Sequence, residues 1–230
     1  MENGNENKLN WLEALLLVAP LVVAAMLWND LPARVPVHWN LRGEINGWAS
    51  KPVALLGLPL INIAIIALLH VLPRFDPKLR RSGGIPGRMQ RVLAIVRIAL
   101  AAFFAAIFGM QIAATLGRPL PADRIVPTTV LLLLAVIGNY LSNLRPNYFV
   151  GIRTPWTLES PATWRATHRL GGYLTFYGAV LLLVLQFFVR PSIFGILVPS
   201  AAVLLAVWAV WYSWHHFHTH DARSLETGGN

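Results

Sequence analysis

The stretch VLAIVRIALAAFFAAIFGMQIAATL, Val92–Leu116, decides the fold, because it carries one charge, Arg97, in a run long enough to cross a bilayer. A helix needs roughly 20 predominantly apolar residues to span a hydrocarbon core about 30 Å thick. Comparable runs recur at Trp11–Asn29, Pro52–Leu72, Ile125–Leu144, Gly172–Val189 and Ile193–Trp214. None shows the period-two alternation of a barrel strand, and backbone groups in lipid must be satisfied within a helix or a closed barrel. The expected fold is therefore an all-α integral membrane protein of about six transmembrane helices with structured short loops.

The rest of the composition fits lipid. Of 230 residues, 56% are hydrophobic and only 13% charged, too apolar for a soluble domain of ordinary size. The chain has no cysteine, which excludes a disulfide framework, a thiolate metal site and a cysteine nucleophile. A net charge of +9 would suggest nucleic acid in a soluble protein. Here the basic residues sit in loops beside apolar runs, where orientation and contact with the lipid bilayer explain them, and no direct nucleic-acid binding is expected.

With six spans the loops fall into two alternating sets. Both tails and the loops after spans two and four carry twelve Lys and Arg, and the remaining loops carry six. Basic loops stay in the cytoplasm, which places both termini on the cytoplasmic side of the membrane. The polar stretch 1–10 is a cytoplasmic tail, and the first run lacks a small-residue cleavage site, so it reads as a retained span. Residues 11–72 then hold two spans and an extracytoplasmic loop, 31–51. Residues 73–91 form a basic, irregular cytoplasmic linker, 92–214 a four-span region with loop 145–172, and 215–230 a His-containing tail. Ser82-Gly83-Gly84 in the linker lacks the Lys-Ser/Thr of a phosphate loop, so nucleotide binding is not expected.

Two loops contain more turn residues and aromatics than a passive connector needs. In Leu31–Lys51, Val35 to Asn40 can extend, Asn46-Gly47 favours a tight turn, and Ser50 with Pro52 reads as a helix start. Trp39 and Trp48 fit either headgroup anchoring or contact with a ligand. In Arg145–Gly172, Ser160-Pro161 signals another helix start, with Trp164 and His168 on one face, Arg165 and Arg169 on a neighbouring face, and Gly171-Gly172 ending or bending the helix. This is expected to be an interfacial helix.

The segment with Asn147-Tyr148-Phe149-Val150-Gly151-Ile152-Arg153-Thr154-Pro155-Trp156-Thr157-Leu158, followed by Trp164, His168 and Arg169, resembles the signature of the SdpI family. The loop with Pro36-Val37-His38-Trp39-Asn40, Gly43 and Gly47-Trp48 is similar to the small domain of unknown function that often precedes it. The family is named for a bacterial immunity protein that protects against a secreted sporulation-delaying peptide toxin and, with toxin present, holds a repressor at the membrane. The resemblance implies toxin contacts at His38, Trp39, Asn40, Gly43, Gly47 and Trp48. It also implies that Asn147, Tyr148, Phe149, Gly151, Arg153, Thr154, Pro155, Trp156, Trp164, His168 and Arg169 meet a cytoplasmic transcriptional repressor.

Polar residues in the spans support a different reading, a small-molecule or ion transporter. Arg97 either snorkels to the cytoplasmic surface or pairs with a carboxylate such as Glu13, and Pro20, Pro59 and Pro199 could break spans at a binding site. An enzyme is the weakest reading, since His38 with Glu44 and His168 with Glu159 or Ser160 are brought together by no spacing. The cluster from His215 to Asp221 could hold a transition metal adventitiously, but without a His-Glu-x-x-His motif or a pre-organised surround neither a resident metal nor a cofactor is expected.

Overall fold

The computed structural model describes residues 2–221. Six of its helices are long and apolar enough to cross a membrane. They are α1 (Glu2–Met26), α2 (Lys51–Val71), α4 (Gly87–Thr115), α5 (Ala122–Leu141), α7 (Pro161–Leu185) and α8 (Pro191–His216). Two short helices, α3 (Pro77–Arg81) and α6 (Pro155–Glu159), lie between them, and strands β1 (Arg34–Trp39) and β2 (Ile45–Ser50) form one antiparallel hairpin. α1, α2 and α8 run unbroken through Pro20, Pro59 and Pro199, so these prolines do not open half-helices.

Short starts are specified by one repeated device. Asp76-Pro77, Thr154-Pro155 and Ser160-Pro161 each put an oxygen-bearing side chain at the cap and proline in the first turn. The cap accepts otherwise orphaned N–H groups, and proline there gives up a donor the helix does not use. Ser50 also stands at the cap of α2, yet its side chain makes no cap bond.

The bundle has a hairpin end and a basic end. At the first, Ala24, Leu31, Leu55, Phe108 and Ile112 knit α1, α2 and α4 together beneath the hairpin. Further along, Leu131, Ala179, Phe194 and Val198 join α5, α7 and α8. At the basic end, Leu79, Met89, Val92, Leu93, Leu141, Leu144 and Trp164 form a third cluster. Large apolar side chains such as Leu60, Leu181 and Leu204 stay exposed on the outer faces, as a lipid-facing surface requires.

α5 and α7 form the most extensive helix pair. Gly138 and Gly172 account for it. A methyl on Gly138 would lie 2.6 Å from the Phe176 nitrogen, and one on Gly172 would lie 2.8 Å from the Gly138 carbonyl. Small residues let backbones meet where burial against lipid offers little gain. This corrects the expectation that Gly171-Gly172 ends a helix: α7 continues through both, and the stretch from Ser160 is the first part of a long span rather than a separate interfacial helix. The linker after α2 is likewise more ordered than its Gly and Pro suggest, folding into a 3₁₀ turn, Leu72–Phe75, and α3.

Candidate functional site at the basic end

Loop 142–160 is held by Asn147. Its side-chain carbonyl accepts from the Phe149 and Val150 nitrogens at 2.9 and 2.7 Å, while its amide donates to the Arg145 and Val150 carbonyls at 2.9 Å. Asn147 is 1% exposed, so one buried amide satisfies four groups of a chain that has no regular structure.

From this turn the loop is tied outward. Asp76, fully buried, caps α3 and also accepts from the Tyr148 nitrogen at 2.6 Å. Lys78 reaches across to donate to the Leu158 carbonyl, and its ammonium lies 5.0 Å over the Tyr148 ring. Thr154 and Thr157 form a reciprocal cap for α6, and the Thr154 hydroxyl donates to Ser213 on α8 at 2.9 Å. Loop 142–160 is thereby fixed to α3, α7 and α8.

The inner frame is built on α7. The Trp164 indole N–H donates to the Leu144 carbonyl at 2.9 Å, and its ring stacks on His168 with centroids 3.9 Å apart. His168 Nδ1–H donates to the Trp164 carbonyl at 2.9 Å, which leaves Nε2 to accept from the Ile152 nitrogen at 3.0 Å. Gly151 precedes that contact at φ 114°, and a methyl there would collide with His168 Nε2. Both the left-handed backbone and the crowding require glycine.

The candidates from sequence therefore divide. Asn147, Thr154, Trp164 and His168 are buried and Gly151 is half-buried, so these shape the loop from within. Tyr148, Arg153, Pro155 and Arg169 are exposed, and Phe149 and Trp156 are half-buried. Arg153 donates to the Tyr148 carbonyl at 2.8 Å, which holds its guanidinium on the outer surface. The shared face of Trp164 and His168 points into the protein, because their partners are the Leu144 and Ile152 backbone groups. Asp76 and Ser213 were missed in sequence. Asp76 had a signal, the cap-and-proline pair with Pro77; Ser213, inside an apolar span, had none.

Behind the loop lies an apolar cavity of about 450 Å³ between α4, α5, α7 and α8. Val150, Gly151 and Ile152 form part of its wall, opposite residues such as Val96, Ile137 and Ala206. A change in packing around this cavity meets the loop directly.

At the other end His38, Trp39, Asn40, Gly43, Gly47 and Trp48 come together on the hairpin, with His38 and Trp48 exposed. The turn is not at Asn46-Gly47, as the dipeptide suggests. It runs Asn40–Glu44, where Asn40 accepts from the Arg42 and Glu44 nitrogens at 2.9 and 3.1 Å and Gly43 takes φ 77°. Gly47 instead pairs with His38 across the strands, where a methyl would lie 2.7 Å from the His38 Cβ. Asn46 accepts from His38 Nδ1 at 2.6 Å. Gly43 abuts Asp123 and Leu41 abuts Gly195, so the turn rests on the starts of α5 and α8.

Arg97 does not snorkel. Its Nε donates to Glu13 at 2.9 Å, and both side chains are about nine-tenths buried between α1 and α4. In the tail, His216 Nδ1 lies 3.0 Å from the Thr163 hydroxyl; residues 222–230 lie outside the described residues. Among the described residues no three His, Asp or Glu side chains converge as metal ligands.

Comparison with known proteins agrees with the two loops. Residues 143–213 match the SdpI/YfhL protein family, and residues 15–63 match DUF1648, a domain of unknown function. The immunity protein SdpI of Bacillus subtilis (strain 168) is 23% identical over 205 residues, covering 87% of this chain and 91% of that protein. No solved structure matches.

Proposed function

We propose that this chain, in which a DUF1648 segment leads into an SdpI/YfhL domain, is an immunity and signalling protein of a bacterial cell membrane that answers a secreted peptide toxin. In this reading the basic end and both termini face the cytoplasm, in keeping with the excess of Lys and Arg there. The hairpin faces outward and offers His38, Trp39 and Trp48 to the toxin. Tyr148, Arg153 and Trp156 offer a cytoplasmic regulator, such as a transcriptional repressor, a docking face.

The observation that supports it is the position of loop 142–160. Its inner side walls the apolar cavity and its outer side carries Arg153 and Trp156, so one rigid segment touches both the span packing and the surface. An apolar peptide that favours one packing of α4, α5, α7 and α8 shifts the population of loop positions by its difference in affinity for them. The hairpin turn, seated on α5 and α8, provides a second route to the same helices.

The test is survival of toxin-sensitive bacteria expressing the chain, with recruitment of the regulator followed in parallel. Arg153→Ala and Trp156→Ala should insert normally and lose recruitment. Normal recruitment by both variants would remove the docking face from the proposal, and absence of protection by well-inserted wild-type chain would exclude that toxin.

A further inference from the structure

A second cavity, of about 250 Å³, opens where α1, α2 and α4 end at the basic end. It differs in kind from the apolar cavity. Its lining includes Asn10, His70, Arg74, Gln90, Arg91 and Arg97 among apolar residues such as Leu69 and Leu93. At its base Glu13 accepts from Arg97 Nε at 2.9 Å, and the other carboxylate oxygen lies 3.5 Å from His70 Nδ1. Arg97 and Glu13 thereby balance each other at the base. Arg74, exposed on the rim, adds a further positive charge, and the Gln90 amide is oriented by donating to the Ile85 carbonyl at 3.0 Å. Low-dielectric helix walls around such a set focus its field on the opening.

We infer that this cavity binds a phosphate-bearing anion. The chemistry is that of a phosphate group: the exposed Arg74 guanidinium for charge-assisted hydrogen bonds, the Arg91 guanidinium in the same lining, and the Asn10 and Gln90 amides as polar donors beside them. Basic pockets between membrane helices take up lipid headgroups in this way, and the apolar part of the lining suits the start of an acyl chain. A phospholipid headgroup and a free phosphate share the recognised group, and the two are separable by experiment. The inference does not depend on toxin immunity; it needs only the bundle to fold.

The full chain in detergent is titrated with phosphatidylglycerol, with phosphatidylcholine and with inorganic phosphate, and bound adducts are counted by native mass spectrometry. Phosphatidylglycerol should be retained in preference to phosphatidylcholine. Arg74→Gln should lower that preference about tenfold, the loss expected for one hydrogen bond between charged groups, while Arg165→Gln, an equal charge change on the exposed face of α7, should leave it intact. Displacement of the lipid by inorganic phosphate supports the site with free phosphate as a source, and retention against it supports the site with the lipid as its ligand. No preference for phosphatidylglycerol, or equal losses in the two variants, would overturn the inference.

Discussion

Replacing Trp164 by alanine is expected to lower the unfolding free energy by about 3–5 kcal/mol, as for large aromatic deletions from packed interiors. The indole is fully buried, stacks on His168, and donates to the Leu144 carbonyl, so its loss leaves a void, an unpaired acceptor and an unsupported imidazole. The damage should spread along one chain of contacts. Without the indole, His168 keeps its bond to the carbonyl of residue 164 but loses the ring stacked on it, which loosens the imidazole that accepts the Ile152 N–H and weakens the inner support of Gly151–Ile152. Denaturant titration of the detergent-solubilised protein measures the cost. Hydrogen exchange should localise it to residues 147–154, whereas a loss of protection confined to α1 and α2 would contradict this arrangement.

The second large effect is at the Glu13–Arg97 pair. Glu13→Gln and Arg97→Met should each cost about 3–5 kcal/mol, because removing one partner leaves the other charge buried and uncompensated. Most of that cost should return in the double variant Glu13→Gln with Arg97→Met, since a buried pair replaced by uncharged side chains of similar size is often neutral or stabilising. A double-mutant cycle on the same unfolding assay separates the two terms. Equal losses in the single and double variants would show that packing, not charge, dominates at this position. The pair joins α1, just before the stretch matched by DUF1648, to α4, so its state bears on how α1 holds to the rest of the bundle.

These residues also show what was legible in the sequence. The six long helices were readable from run length alone, since lipid admits few alternatives to a continuous helix. The Ser160-Pro161 start of α7 was readable for the same local reason as any cap. Partners were not. Trp164 and His168 share a helical face by spacing, but only the return of loop 142–160 over that face shows it to be an inner one. Gly171-Gly172 reads as a stop in a soluble helix, whereas against the backbone of α5 Gly172 is a contact surface. Asn46-Gly47 is a strong turn signal that loses to Asn40, whose side chain organises a competing turn a few residues earlier. Arg97 could be assigned to a pair rather than to the surface only once α1 and α4 were seen together.

The division of loop 142–160 into an inner frame and an outer face also explains why its candidate residues cannot be tested alike. Substitutions at Asn147, Gly151 or His168 act on folding first, and any loss of the proposed partner recruitment that follows is indirect. Arg153 and Trp156 can be changed with the frame intact, which makes them the informative positions for contact with a partner.

Coupling between the membrane spans and loop 142–160 is tested most directly by labelling. Because the chain has no cysteine, Glu159→Cys introduces a single thiol at the exposed end of α6. Its rate of reaction with a membrane-impermeant maleimide is measured in inside-out vesicles formed with and without the peptide toxin trapped in the lumen, the side the hairpin faces. A changed rate on adding toxin, abolished when the apolar cavity is filled by Ala206→Phe, is the predicted result. An unchanged rate, at a toxin concentration for which the survival test shows protection, would contradict the coupling.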